Sequence, residues 1–497
     1  MPVQTVVKPN TYHDSVALMS ISQKLMELPG VREAVVAMAT EMNKEILEQV
    51  GLLTDSARAA RETDLVIAVD AETDEALAAA LEQAEVLLRK GSGGGDRGSG
   101  GALPRTLTAA LSQAPGANLA FISVPGAYAG REARKALEHG LHVMLYSDNV
   151  PLETEVALKR LAHEKGLLLM GPDCGTAIVG GVGLGFANAV RRGPIGIVAA
   201  SGTGSQELSV LIDRLGSGIS HLLGTGGRDL TAEVGGLMMR DGLRLLAEDP
   251  ETAVIVVLSK PPAPAVAQRL AADIGAISKP VVTCFLGGEG ALSIDEAAVQ
   301  AVSLATGRPV AELEAQIGYG GPLPALPVRP GRRYVRGLFS GGSLCDQALA
   351  VLEARVGPVL CNVHPVAERR GGVDRSRGHT LLDLGDDTFT VGRAHPMIDP
   401  TVRRQRLRAE AADPETAVIL LDIVAGHGAH PDPAGALADE IAAAVAGGVA
   451  VVASVTATEA DPQRRSEQEE RLRAAGAVVL PTARLAALTV AASLEGR

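Results

Sequence analysis

Aromatic side chains are nearly missing from this 497-residue chain: Phe, Tyr and Trp make up 2% of it, and tryptophan is absent. Its cores must therefore be built from Ala, Val, Leu and Ile, which the hydrophobic fraction of 46% supplies. Cysteine is scarce as well. The four present, Cys174, Cys284, Cys345 and Cys361, form no CxxC pair, which fits free thiols in a reducing cytoplasm. No basic block stands out against the formal charge of −12, so nucleic acid is not an expected partner. The cluster Arg403-Arg404-Gln405-Arg406 reads as a solvated helix face. No run is long and apolar enough to cross a bilayer, and no charged-then-apolar leader opens the chain. A soluble, cytoplasmic protein without a membrane partner is expected.

What is present is glycine, 57 residues of it, placed with a pattern. Gly193 to Glu207 reads GPIGIVAASGTGSQE. The apolar run Ile195–Ala200 predicts a buried strand, and a helix follows the loop Ser201-Gly202-Thr203-Gly204. Such a turn aims several backbone N–H groups at one point, where the helix dipole adds positive potential. It reads as an anion cradle, most simply for phosphate, or alternatively as a tight turn with nothing bound. A second copy favours the cradle. GLFSGGSLCD, Gly337 to Asp346, again runs from a strand end through Ser340-Gly341-Gly342-Ser343 into a helix. The heptapeptide DPETAVI occurs at 249–255 and again at 413–419, each time leading into an apolar run. Two duplicated α/β units follow.

The remaining organisation is read from strand and helix alternation. Residues 1–90 predict a small ferredoxin-like α/β module. Residues 91–103, KGSGGGDRGSGG and its flank, read as a flexible linker. Residues 104–192 predict a Rossmann-like unit with a parallel sheet, and 193–320 the first duplicated unit. A Gly/Pro-rich linker spans 321–331, and 332–497 form the second unit.

In an open parallel sheet, ligands meet the loops after the strands. Gly226, Gly227 and Arg228 occupy one such loop, where the glycines permit close backbone approach and the guanidinium suits a phosphate or carboxylate. The alternative is a surface turn. Lys260, in SKPP, stands at another strand end, placed either to neutralise an anion or simply to be solvated. The carboxylates of Asp383-Leu384-Gly385-Asp386-Asp387 read as caps for the next segment or, alternatively, as groups that orient a substrate amide or a metal. Arg393 and His395 share a loop in the second unit, with roles in carboxylate binding and proton handling or, alternatively, as ordinary loop residues. Gly426-His427-Gly428, with His430 beyond, offers two histidines but no third ligand. It is read as a glycine-rich anion loop, and no metal site is expected.

These stretches resemble the succinyl-CoA synthetase-like superfamily. GPDCGT at Gly171 is similar to the motif that closes the CoA-binding domain of the synthetase α subunit. GPIGIVAASGT with Glu207, and GTGGRDL, are similar to its next motifs. The second unit, from GLFSGG through LLDLGDD to AVILLDIVAGHG, resembles the β-subunit ligase domain. Within the superfamily the chain is identified as a member of the FdrA family, on YHDSVALM, LYSDNVPLE, MGPDCGT, SGTG, LGTGGRDL with EVGG, LSKPP, LLDLGDD with FTVGRAHPMIDP, and DPQRRSEQ.

The resemblance implies a multi-domain α/β fold: a Rossmann-like CoA-binding-type domain, two flavodoxin-like ligase-type domains and the N-terminal module. It also implies a carbamoyltransferase subunit that joins oxalurate and phosphate to oxamate and carbamoyl phosphate. Two partner subunits, a small carboxylate or amide substrate and a homo-oligomer complete that expectation. Phosphate or carbamoyl phosphate is expected at Ser201–Gly204 and Ser340–Ser343 as substrate, with no certain cofactor. Two departures from the synthetases stand out. The place of their phosphorylated histidine reads GGEGALSIDE here, without histidine. The N-terminal half of their CoA-binding domain is replaced by residues 1–101, which puts CoA binding in doubt. An acyl-CoA synthetase (NDP-forming)-like ligase subunit, or a non-catalytic scaffold, is the alternative.

Overall fold

The structure, a computed structural model, describes residues 2–11, 15–26, 28–92, 104, 106–288, 290–363, 375–390 and 394–495. Most of the expected linker 91–103, and Arg393, therefore lie outside the described residues. The chain divides into two compact units, one of residues 1–103 with 390–394, the other of 104–389 with 395–497.

The first unit contains β1 (Val3–Lys8), α1 (Ser15–Met26), β2 (Val31–Met38), α2 (Glu41–Gln49), α3 (Asp55–Ala59), β3 (Leu65–Ala71) and α4 (Asp74–Ser92). Its sheet has the order β1-β3-β2 with both pairings antiparallel. This is the split arrangement of a ferredoxin-like module. The centre is β3, whose LVIAVDA is buried but for Asp70. Leu77, Ala80, Ala84 and Leu88 of α4 recur at helical spacing and close the core against it.

The second unit opens with α5 (Leu107–Gln113), β4 (Leu119–Ile122), α6 (Gly126–Glu138), β5 (His142–Leu145), α7 (Leu152–Glu164) and β6 (Leu169–Met170). These strands form a small parallel sheet, β4-β5-β6. A hairpin follows, β7 (Thr176–Val179) and β8 (Val182–Gly185). Next come β9 (Arg192–Ala199), α8 (Gly202–Arg214), β10 (Ile219–Gly224), α9 (Leu237–Glu248), β11 (Val254–Ser259), α10 (Pro264–Ala276), β12 (Val281–Phe285), α11 (Ile294–Thr306) and α12 (Val310–Gln316). Their sheet has the order β12-β11-β9-β10-β7-β8. The hairpin thus belongs to this sheet, although sequence alone grouped residues 176–185 with the preceding unit. Strands of only four residues, TAIV and VGLG, carry too little periodicity to show which edge they join.

The last sheet, β14-β15-β13-β16-β17-β18, is parallel throughout. Its elements are β13 (Tyr334–Phe339), α13 (Gly342–Val356), β14 (Val359–Cys361), β15 (His379–Asp383), α14 (Asp387–Thr390), α15 (Thr401–Ala412), β16 (Thr416–Val424), α16 (Ala438–Ala446), β17 (Ala450–Thr456), α17 (Arg465–Ala474), β18 (Val478–Leu480) and α18 (Ala483–Leu494). All nine residues of β16 are buried, as a central strand covered by helices on both faces requires.

The duplication shows in strand register. Val254 of the first heptapeptide pairs with Ile195, and Val418 of the second pairs with Val335. Counting forward from Ile195 and Val335 makes Ser201 and Gly341 equivalent, and these two residues are the N-caps of α8 and α13. The repeated letters also make the same turn: Asp249 and Asp413 each accept the backbone N–H two residues on, at 3.1 and 2.9 Å. One continuous apolar cluster, including Leu208 of α8, Val302 of α11, Leu344 of α13 and Val490 of α18, joins the two duplicated sheets.

Candidate functional site

The site is built where the two duplicated helix starts meet. Neither N-cap supplies a side-chain bond to its helix, so the first-turn N–H groups of α8 and α13 are left for another acceptor. The two starts touch. Ser201 Oγ lies 2.6 Å from Ser343 Oγ. A Cβ on Gly341 would fall 2.5 Å from Thr203 Cβ, and one on Gly204 would fall 3.1 Å from Ser343 Cβ. Glycine is required at both places because the side chains of Thr203 at one and of Ser201 and Ser343 at the other occupy the space a Cβ would need. Gly202 stays exposed and Gly342 half-buried, so the paired starts open to solvent on that side. Gly341→Ala is expected to prise the starts apart and lower stability by about 1–3 kcal/mol. Thermal melting of Gly341→Ala beside Thr203→Gly/Gly341→Ala measures this, and the double variant should recover most of the loss.

Carboxyl groups of the second sheet surround α13. Asp422, buried in β16, accepts the Ser340 N–H at 2.8 Å and the Ser340 hydroxyl at 3.1 Å. Burial raises its pKa, and the Arg403 guanidinium opposes the rise. Arg403 donates to Leu338 O at 2.9 Å, to Asp422 O at 2.6 Å and to Asp422 Oδ1 at 3.0 Å. Only 4% of Arg403 is exposed, so the expectation of a solvated face is corrected at this residue. A carboxylate inside an apolar nine-residue strand demands a buried counter-charge. The visible signal was the acid interrupting TAVILLDIV.

Asp383 ends β15 with Oδ1 accepting the Gly385 N–H at 2.9 Å. Its Oδ2 lies 2.8 Å from where a Cβ on Gly342 would stand. Burial lifts this carboxyl to about 7, against the Gly385 bond and the Lys260 charge. Asp386 caps α14 through Thr388, accepting its N–H at 3.0 Å.

The other candidate residues fall out as follows. Lys260 forms an ion pair with Asp346 of α13 at 2.8 Å, which ties the end of β11 to the second helix start. His395 packs against Phe186 with the two rings tilted and their centroids 5.8 Å apart, and burial depresses it to about 4. Its Nδ1 accepts the Met397 N–H at 3.2 Å, so the neutral ring carries its proton on Nε2, which faces Gly385. Arg228 is engaged by Glu155 at 2.8 Å and donates to Val150 O at 2.8 Å.

Gly226, at φ +81°, lies against the 171–172 turn, and Gly227 has open space around it. Gly426 and Gly428 accommodate residues 185–188: a Cβ on Gly426 would meet Ala187 O at 2.6 Å. The His427 N–H donates to that same oxygen at 2.8 Å, and its ring faces a separate cleft. The structure thus brings Ser201–Gly204, Ser340–Ser343 and Lys260 into one neighbourhood. It gives Arg228 and Gly426–Gly428 packing partners of their own.

Sequence reading missed one buried network altogether. Lys159 of α7 is fully buried and contacts Glu155 and Asp229, each at 2.8 Å, and Thr225 O at 2.9 Å. Asp229 in turn accepts the Met239 N–H at the start of α9, at 2.8 Å. The loop 225–229 is thereby fixed from beneath. The i, i+4 spacing of Glu155 and Lys159 was visible, but it is equally that of a surface pair.

With this geometry established, comparison with known proteins is decisive. Over 501 aligned residues the chain is 47% identical to the protein YahF of Escherichia coli, with 96% of each chain covered. The chain belongs to the YahF family. Its parts match three described families: a heavy metal-associated domain named for AllF over residues 1–103, a CoA binding domain over 190–287 and a CoA-ligase domain over 338–493. Together they make this a succinyl-CoA synthetase-like protein of the FdrA/AllF type. It is 32% identical over 151 residues to the succinate–CoA ligase (ADP-forming) α subunit of Aquifex aeolicus, covering 29% of this chain and 48% of that one. It is 28% identical over 178 residues to the malate–CoA ligase α subunit of Methylorubrum extorquens, covering 34% and 59%. The chain thus spans about half the length of these ligase relatives.

Two expectations are corrected. Carbamoyl transfer is overturned, because these relatives are CoA ligase subunits and the matched domains are of ligase type. The physical reason is that a glycine-rich helix start recognises an oxyanion, not the group bonded to it. The doubt over CoA also falls, since CoA-binding and CoA-ligase domains are both present. The metal implied by the name of the N-terminal family does not fit the donors there. Residues 1–103 contain no cysteine and one histidine, His13, and among the described residues no cluster of three metal-ligating side chains occurs. Among those residues no helix is long and apolar enough to cross a membrane.

Proposed function

We propose that this chain is a subunit of an acyl-CoA ligase of the NDP-forming type, in which the starts of α8 and α13 hold phosphate while an acyl group passes between phosphate and CoA. The carrying observation is the meeting of two uncapped helix starts at Ser201 and Ser343. The positive ends of two helix dipoles and their free N–H groups favour an anion there. Because the two hydroxyls already touch, the anion sits beside the pair, on the open side at Gly202 and Gly342.

In this reading the CoA sulfur attacks the acyl carbon of an acyl phosphate. The carbon–oxygen bond to phosphate breaks, phosphate keeps the electron pair, and the thiol proton goes to a base. Preorganised N–H donors stabilise the charge that develops on the leaving phosphate. Asp383, lifted to about 7 and aimed at Gly342, is the group placed to take and return the proton. Residues 286–293 contain no histidine, so phosphate is used here without a phosphohistidine carrier. The nucleotide step then belongs to a partner subunit.

Gly202→Asp tests the reading. The site of a new side chain is open, with only Thr176 Oγ1 at 3.9 Å, and a carboxylate at a helix start does not harm the helix. Titration calorimetry of the full chain with inorganic phosphate should show at least a tenfold loss of affinity, with unchanged melting temperature. Equal phosphate affinity in the two proteins, or none in either, would leave the chain a non-catalytic scaffold.

A further inference from the structure

Far from the helix starts, a cleft of about 700 Å³ opens between the two duplicated sheets. Its size is that of a small-molecule site, well beyond what an inorganic ion fills. Arg214, the last residue of α8, stands in its wall. A 13-residue helix separates it from Gly202 by roughly 20 Å, so this is not the site discussed above.

The charges in the cleft do not balance. Arg191, Arg214 and Arg465 line it against Asp213 and Glu459. Arg191 is matched by Asp213 at 2.9 Å, and Arg465 is loosely held by Glu459 at 3.4 Å and Glu469 at 3.6 Å. Arg214 has no carboxylate partner among the described residues. Its guanidinium donates to a carbonyl, Pro481 O, at 2.6 Å. Burial and the neighbouring Arg465 charge both lower its pKa, against the more distant carboxylates of Glu207, Glu469 and Asp295. Two guanidinium groups that repel each other across a cavity are relieved by an anion held between them. The exposed ring of His427 adds a further donor on the same cleft.

One wall of the cleft is held by a buried carboxylate. Asp461, 1% exposed, accepts from Asn188 Nδ2 at 2.8 Å, from the Ala189 N–H at 2.7 Å and from the Thr458 N–H at 2.7 Å. Opposite, Gly181 and Gly183 leave a side-chain-free wall next to the apolar Ile178 and Val190. Such a wall suits a flat apolar body and the arginines suit a phosphate, whose oxygens match the guanidinium fork.

We infer that this cleft is a binding site for an organic phosphate of nucleotide size, with Arg214 and Arg465 on the phosphate and the Gly181–Gly183 wall on the ring. Calorimetry of the full chain with ADP, inorganic phosphate and succinate tests it. ADP should bind, and both Arg214→Gln and Ala460→Trp should weaken it at least tenfold. Ala460 is exposed on the rim, so its tryptophan variant blocks the cleft without touching the core. Because the inference does not depend on the helix starts, Gly202→Asp should leave ADP affinity unchanged. The inference is overturned if ADP does not bind, if ADP affinity is the same in wild type and both variants, or if succinate binds with the same variant sensitivity while ADP does not.

Discussion

Lys159→Met is expected to destabilise the protein by about 3–5 kcal/mol, the usual consequence of removing one partner from a buried ionic group. Glu155 and Asp229 are 1% and 0% exposed and would be left facing each other's neighbourhood without their shared ammonium. Glu155 would keep Arg228 at 2.8 Å, but Asp229 would keep only backbone donors at the start of α9. The loop from Thr225 to Asp229 should loosen with it, since Lys159 also holds Thr225 O. Urea denaturation followed by circular dichroism measures the loss. The triple variant Glu155→Gln/Lys159→Met/Asp229→Asn, which removes the stranded charges, should recover a substantial part. A Lys159→Met protein within about 1 kcal/mol of wild type would show that the network contributes nothing.

Glu207→Gln should act in the opposite direction, and only above mildly acidic pH. Glu207 lies on α8 but reaches across to the second sheet, accepting the Thr456 hydroxyl at 2.5 Å and the Ala483 N–H at 3.3 Å. Burial lifts its carboxyl to about 7, and the nearby Asp295 carboxyl adds to the rise. A carboxyl whose folded pKa exceeds its unfolded value holds its proton more tightly when folded. It therefore imposes no cost below the unfolded value of 4.5. The cost grows as pH rises from there and is complete above about 7. A shift of this size corresponds to roughly 3 kcal/mol. The amide variant keeps the shape without the charge: its Oε1 accepts the Ala483 N–H and its Nε2 donates to the Thr456 hydroxyl. Melting temperatures at pH 4 should coincide for the two proteins, whereas at pH 8 the variant should melt higher. A constant difference across that range would show that Glu207 is not the titrating group.

Much of the fold was legible because its signals are local. Apolar runs such as Ile195–Ala200 and Ala417–Ile423 are too long and too β-branched to be loops, and the glycines after them can only punctuate. The identical heptapeptide announced duplication, and strand register bears it out at Val254 and Val418. The hairpin 176–185 was not legible, since two strands of four residues each are too short to show a period.

The candidate site was legible in part. Ser201–Gly204 and Ser340–Ser343 stood out as helix starts. Arg403, read as solvated, is buried against Asp422, because its partner lies in a strand that pattern alone cannot place. Chemistry was the least legible, because phosphate recognition is common to many reactions and the resemblance led toward carbamoyl transfer.

By itself, the sequence determined the longer apolar strands and the two glycine-rich helix starts, which follow from spacing within some ten residues, and the duplication, which an identical heptapeptide carries. Only the tertiary structure decided that Ser201 meets Ser343, 142 residues away, and that Lys159, Arg403 and Arg228 are engaged while Arg214 lines an open cleft with no ion-pair partner among the described residues. Charge pairing and close backbone approach depend on distances through space, and these exist only once the sheets have packed.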